Sequence, residues 1–164
     1  MDAPTTAHPI TLDEAMRFAW YEADLLDSAG YEEWLSLWTA TSRYIVPIEP
    51  GATDFDNTLN YAYDDAGMRA KRADRLVSGQ SVSASPVART VRLLSRFRIL
   101  RSDADRCEMR CAQMLTEYRR GRERTYAADV EFIYVRTQEG LMIERKVIRL
   151  INGTDALGGI GYIL

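Results

Sequence analysis

A chain of 164 residues, 46% apolar and 27% charged, has material for one real core and is short for two. Its formal net charge of −3 gives no global attraction to nucleic acid or to an anionic membrane, and no run approaches the ~18 consecutive apolar residues of a membrane span. Met1 to Pro9 is polar and proline-containing, without a basic start and apolar run, so a cytoplasmic protein with no secretory leader is expected.

The first helix opens at Thr11, where Thr11-Leu12-Asp13-Glu14 forms a capping box; residues 1–10 before it are expected to be a flexible tail. Ala15, Phe18, Ala19, Leu25 and Leu26 recur at helical spacing, and Gly30 is the predicted left-handed stop. A second short helix is expected over Tyr31 to Trp38, then a short strand over Arg43 to Pro47, whose proline marks an edge or a strand end. Glu49 to Tyr63 reads as a long polar loop with scattered aromatics, the kind of segment that contacts partners. Asp64 is the expected cap of a third helix over Asp65 to Ser78, ended by Gly79. Gly67 within it costs about 1 kcal/mol against alanine, so packing must hold that helix. A Ser-rich connector, Gln80 to Ala88, follows.

The second half reads as four long strands, Arg89–Arg101, Cys107–Arg119, Glu123–Arg136 and Leu141–Asn152. Short polar turns between them dictate antiparallel hairpins. In the third strand Ala128, Val130, Phe132 and Tyr134 share one face. In the fourth, Ile143, Arg145, Val147 and Arg149 oppose Met142, Lys146, Ile148 and Leu150. Helices first and a curled antiparallel meander afterwards predict a single α+β domain over 1–164, with the helices on one sheet face.

Catalytic inventory is thin. His8 is the only histidine and sits before the first helix, so Ser-His-Asp or Cys-His chemistry lacks its base. A two-His, one-carboxylate iron site and a Rieske cluster cannot be built either. Cys107 and Cys111 stand roughly 13 Å apart along one strand, too far for a disulfide or a shared metal, and are predicted to be small core residues. Gly158-Gly159-Ile160-Gly161 has no helix after it to bind a pyrophosphate; a segment letting an apolar tail tuck against a surface is the better reading. The Arg119-Arg120-Gly121-Arg122 cluster reads as a solvated turn. Tyr21, Asp24, Tyr44, Asp129, Tyr134 and Glu144 are the conceivable acid–base groups, should any two converge in a cavity.

Specific residues then meet this order of elements. Phe18 to Asp27 (FAWYEADLLD), Tyr31-Glu32-Glu33-Trp34-Leu35 and Tyr44-Ile45-Val46-Pro47 resemble the opening of the beta subunits of aromatic-ring-hydroxylating dioxygenases. Tyr63-Asp64-Asp65 with Arg72 and Arg75-Leu76 is similar to that family's third helix, and Pro86, Arg89-Thr90 and Leu93-Leu94-Ser95 to its next strand. Val147 to Asn152 and Tyr162-Ile163-Leu164 are similar to its ending. Departures are Arg96, where the family usually has Asn, Val91, where a basic residue is common, and Gly67. The resemblance implies a cystatin-like, nuclear-transport-factor-like cone, its curved sheet wrapped around the N-terminal helices. It also implies a structural, non-catalytic subunit that forms a trimer capped by alpha subunits. The Rieske cluster and mononuclear iron would lie in those partners and none in this chain, and the whole enzyme would dihydroxylate an aromatic compound. The alternative is a free-standing cone-fold dehydratase or isomerase with an Asp/Tyr acid–base pair; a stand-alone ligand-binding domain is a third. Tyr61, Tyr63, Arg72, Arg75, Arg89, Arg92 and Tyr162 are the candidate subunit contacts, since Arg and Tyr favour desolvated interface centres. No catalytic, cofactor or metal residue is assigned.

Overall fold

The computed structural model describes residues 8–78, 87–155, 157, 160 and 162–164; the expected Gly79 stop, the connector up to Pro86, the tail before His8 and the glycines 158, 159 and 161 lie outside them. Among the described residues three helices, α1 (Leu12–Asp27), α2 (Tyr31–Ser36) and α3 (Ala66–Ser78), accompany six strands. These are β1 (Trp38–Pro47), β2 (Asn60–Asp64), β3 (Arg89–Ser102), β4 (Arg106–Arg119), β5 (Arg122–Thr137) and β6 (Gly140–Leu150), in the sheet order β2-β1-β6-β5-β4-β3. The capping box forms as expected, with Glu14 N donating to Thr11 Oγ1 at 3.2 Å and Thr11 N to Glu14 Oε2 at 2.8 Å.

The hairpins β3–β4, β4–β5 and β5–β6 are antiparallel, as the turns dictate, but the sheet is mixed because β1 runs parallel to β6. No hairpin joins those two strands, so no turn fixes their direction. Alternation in β6 also breaks. A register shift opposite Ile133 and Tyr134 inserts Glu144 as an extra residue, and Ile143 thereby joins Lys146, Ile148 and Leu150 on the core face.

Three local expectations are corrected. Ala29, at φ 60°, takes the left-handed position after α1, while Gly30 is the N-cap of α2 at φ −76°. Trp38, expected in the second helix, begins β1. Asp65, not Asp64, caps α3: its Oδ1 accepts from Met68 N at 2.9 Å. Asp64 ends β2 with its carboxylate turned inward, because successive strand residues point to opposite sides. Arg96 sits at φ 57° beside a bulge in β3, a conformation that Asn adopts more readily than Arg. Gly153 lets the turn after β6 lie against β1's end, since a Cβ there would stand 2.4 Å from the Ile48 oxygen.

The core fills the space between the sheet and α1. Ala15, Ala19 and Leu26 from the helix meet Met109, Cys111, Leu115, Val130 and Ile148 from the strands, all buried. Trp34, Trp38 and Tyr44 pack edge to face, with centroids 5.4–6.3 Å apart. Buried Arg69 caps this group, its guanidinium 4.3 Å above Trp38 and donating to Ser42 O, Asp64 O and Ser42 Oγ.

Candidate functional site

At the centre of the cone, α1 and β6 bring together Glu22 and Lys146, 124 positions apart in sequence, with side chains 2% and 1% exposed. Lys146 Nζ lies 2.9 Å from both carboxylate oxygens, and Trp34 Nε1 donates to Glu22 Oε1 at 3.0 Å. The ammonium also sits 5.4 Å from the Phe132 ring and 3.5 Å from the Leu164 backbone oxygen. A desolvated charge pair survives when each ion is satisfied by further hydrogen bonds, and here both are.

Burial sets the acid–base character of the groups around the pair. It pushes the Tyr134 hydroxyl well above the usual tyrosine range and the Tyr44 hydroxyl up to about 12. The Cys111 thiol likewise rises to about 12, and desolvation lowers the Lys146 ammonium against the pull of Glu22. Tyr44 is also occupied, accepting a hydrogen bond from Leu164 N at 3.0 Å, while the Tyr134 ring packs 5.1 Å from both Phe18 and Phe132. These tyrosines and the thiol are neutral at physiological pH, and the two ions neutralise each other. The pair is thus hydrogen-bonded within the chain, while the Tyr134 hydroxyl is buried without a hydrogen-bond partner.

The six sequence candidates for acid–base work do not converge. Tyr21 donates to Glu33 at the surface, Asp24 is exposed, Asp129 accepts from Arg110 at 2.8 Å, and Glu144 accepts from Thr39 at 2.6 Å and Thr41 at 3.3 Å. Only Tyr44 and Tyr134 point into the core. Cys107 and Cys111 are both buried and unpaired, as their spacing requires, and among the described residues no three His, Cys, Asp or Glu side chains stand close enough to share a metal.

The candidate contact residues fall into three settings. Arg75 and Arg89 are exposed, and Tyr61 presents its ring outward while its hydroxyl donates to Gly153 O at 2.5 Å. Tyr63 donates to Asp56 at 2.5 Å; Arg72 grips the buried Asp64 with bonds of 2.6 and 3.0 Å; Tyr162 donates to Glu117 at 2.8 Å. Arg92 alone departs from the surface reading. It is buried, its guanidinium held by the Asp27 carboxylate and the Ile163 carbonyl, so it clamps α1, β3 and the C-terminal segment within the chain. Strand alternation puts Arg92 opposite the exposed Val91 and Leu93. A cleft of about 200 Å³ is bordered by Tyr44, Tyr61, Arg72, Leu157, Ile160 and Leu164.

Sequence reasoning missed Glu22, Lys146, Asp27 and Arg69. A signal existed for the first pair: Glu22 falls on the helical stripe of Ala15, Ala19 and Leu26, and Lys146 alternates with Ile148 and Leu150. A lone charge on an apolar face implies a buried partner, but nothing local names it.

Comparison with known proteins agrees with this architecture. The family described as "Ring hydroxylating beta subunit" matches residues 21–154. The small oxygenase component of the p-cumate 2,3-dioxygenase system of Pseudomonas putida is 29% identical over 139 residues, 84% of this chain and 77% of that one. A benzene 1,2-dioxygenase subunit beta of Pseudomonas putida is 30% identical over 110 residues, 62% of this chain and 59% of that one. The crystal structure of the beta subunit of benzoate 1,2-dioxygenase from Burkholderia mallei superposes with a TM-score of 0.75 at 21% identity, covering 99% of this chain and 100% of that one. An NTF2-like protein with a cystatin-like fold from Novosphingobium aromaticivorans gives a TM-score of 0.61 at 16% identity, over 88% and 84%. The shared cone is the cystatin-like, NTF2-like fold.

Proposed function

The chain belongs to the beta subunits of ring-hydroxylating dioxygenases, and from that premise we propose that it is a scaffold with no chemistry of its own: one domain over 1–164 that forms a trimer and holds alpha subunits on it. The observation that carries this reading is the central charge pair, Glu22 with Lys146, both buried and hydrogen-bonded within the chain. Where a cone-fold isomerase needs an open cavity with an acid–base pair, this chain has the Glu22–Lys146 pair, neutral tyrosines and its own C-terminal residues.

The Rieske cluster and mononuclear iron that the family implies do not fit the donors present. Both thiols are buried, with burial pushing them up, and the sole histidine, exposed His8, lies outside the sheet and helices. We assign both centres to the alpha partner, and aromatic dihydroxylation to the assembled enzyme. Among the described residues no helix is long and apolar enough to cross a membrane.

Co-expression with the large subunit tests the proposal. The purified chain alone is expected to contain no stoichiometric iron and no oxygenase turnover, and the complex to hold equal numbers of the two subunits with its iron in the large one. About one iron per isolated beta chain, or turnover by that chain alone, would overturn it.

A further inference from the structure

Paired charges lie across much of the surface, but β3 and the β1–β2 loop, at the two ends of the sheet, differ in sign. β3, at one end of the strand order, carries Arg89, Arg92, Arg96, Arg98 and Arg101 and no acidic residue. Arg92 is turned inward, but Arg96 and Arg98 are exposed, and among the described residues neither makes an ion pair within the chain. Beside them Val91, Leu93 and Met114 form an apolar strip, each more than half exposed, with Leu93 directly opposite Met114. At the other end, the loop between β1 and β2 carries Glu49, Asp54 and Asp56, all exposed, with no Lys or Arg between residues 48 and 59, and Leu59 stands 79% exposed beside them.

Both surfaces are built. Arg149 pins the acidic loop, donating to Pro50 O at 2.8 Å and Ala52 O at 2.6 Å and lying 5.4 Å from the Phe55 ring, while Tyr63 holds Asp56. On β3, Arg96 is held at φ 57°, a backbone position that a β-branched or long side chain occupies only at a cost.

We propose that the basic, apolar edge of β3 docks on the acidic loop Glu49 to Leu59 of a second copy, head to tail, and that this contact closes the trimer. The inference rests on the trimer reading above and names its interface. A contact between two different, complementary patches at opposite ends of one sheet is heterologous; repeated by a rotation that closes, it generates a ring, the geometry a trimer needs. Charge complementarity supplies register and excludes like-charged juxtapositions, while the Leu93–Met114 strip and Leu59 supply the apolar contact.

A charge swap in the full-length chain tests it. Sedimentation equilibrium of the Arg96→Glu/Arg98→Glu variant, and separately of Asp54→Arg/Asp56→Arg, is expected to show trimer assembly weakened about tenfold or more. Both pairs of substitutions in one chain should restore it to within a few-fold of wild type. Circular dichroism identical to wild type for each variant excludes misfolding, since all four side chains are exposed. Arg96→Asn should weaken the trimer yet raise the melting temperature of the dissociated chain, because Asn accepts the left-handed backbone. Wild-type trimers unaffected by either reversal, or a swap that rescues nothing, would overturn this inference and leave the trimer reading standing. Reversals that leave the trimer intact but release the alpha subunit would overturn it too, assigning the surface to that partner. A wild-type chain that is monomeric both alone and with the large subunit would remove the trimer reading itself, and this contact with it.

Discussion

The interior of the cone and its outer edges handle charge in opposite ways. Inside, Glu22 meets Lys146 at 2.9 Å and Asp27 meets Arg92, joining elements distant in sequence, and Asp64 meets Arg72 at 2.6 Å, joining β2 to α3. Outside, arginines gather on β3 and carboxylates on the β1–β2 loop, without meeting each other in one chain. Charges matched within a chain fix its shape; charges sorted apart by sign on one chain fix how copies meet. The contrast also separates two expected phenotypes, with interior substitutions acting on folding and edge substitutions on assembly.

The largest effect should come from the interior pair. Lys146→Ala strands a buried carboxylate and is expected to cost about 3–5 kcal/mol in chemical denaturation, whereas Glu22→Leu with Lys146→Met should cost far less, because neither charge remains. A loss in the double variant as large as in the single would mean that packing, not charge, holds the centre. Arg72→Ala leaves Asp64 buried without its partner. Since the arginine is itself 36% exposed and partly screened, a loss of about 2–3 kcal/mol is expected, read from the same titration.

A smaller effect distinguishes neighbouring aspartates. Asp65→Ala removes the α3 cap and should cost about 0.5–2 kcal/mol, and a helix-capping asparagine at 65 should recover most of it. Smallest near neutrality, and visible only in alkali, is the titration of the core. Tyr44, at about 12, and Cys111, at about 12, lie above their ordinary values of 10.0 and 9.0. Between those limits the unfolded chain releases protons that the folded chain retains. Their contribution is therefore fully present below pH 9 and is lost as pH rises toward 12. The stability curve should fall across that window, and Cys111→Ala should shallow its slope there.

How much of this was legible in the sequence follows from the same physics. Four long strands and their hairpins were readable because alternation and short polar turns act locally, and the capping box at Thr11 acts within one turn. The parallel neighbour of β1 was not, since that pairing is decided by where the whole meander returns. Asp64 and Asp65 were exchanged because adjacent acidic residues look alike until the strand end turns one inward and leaves the other at the helix start. Of the site, the absence of paired imidazoles was plain from composition. The Glu22–Lys146 contact was not, because a spacing of 124 residues carries no local trace. Arg92 was misplaced for want of applying to β3 the alternation that succeeded in β5.

The central claim is that this chain organises a dioxygenase without taking part in its chemistry. It is tested most directly by turnover per iron in the purified alpha–beta complex carrying Glu22→Leu and Lys146→Met. These substitutions remove the buried lysine–carboxylate pair while keeping the centre neutral and apolar. Turnover per iron within a few-fold of wild type, whatever the yield of complex, is the predicted result. A complex that assembles with normal stability and iron content yet turns over orders of magnitude more slowly would contradict it, placing the chemistry inside this subunit.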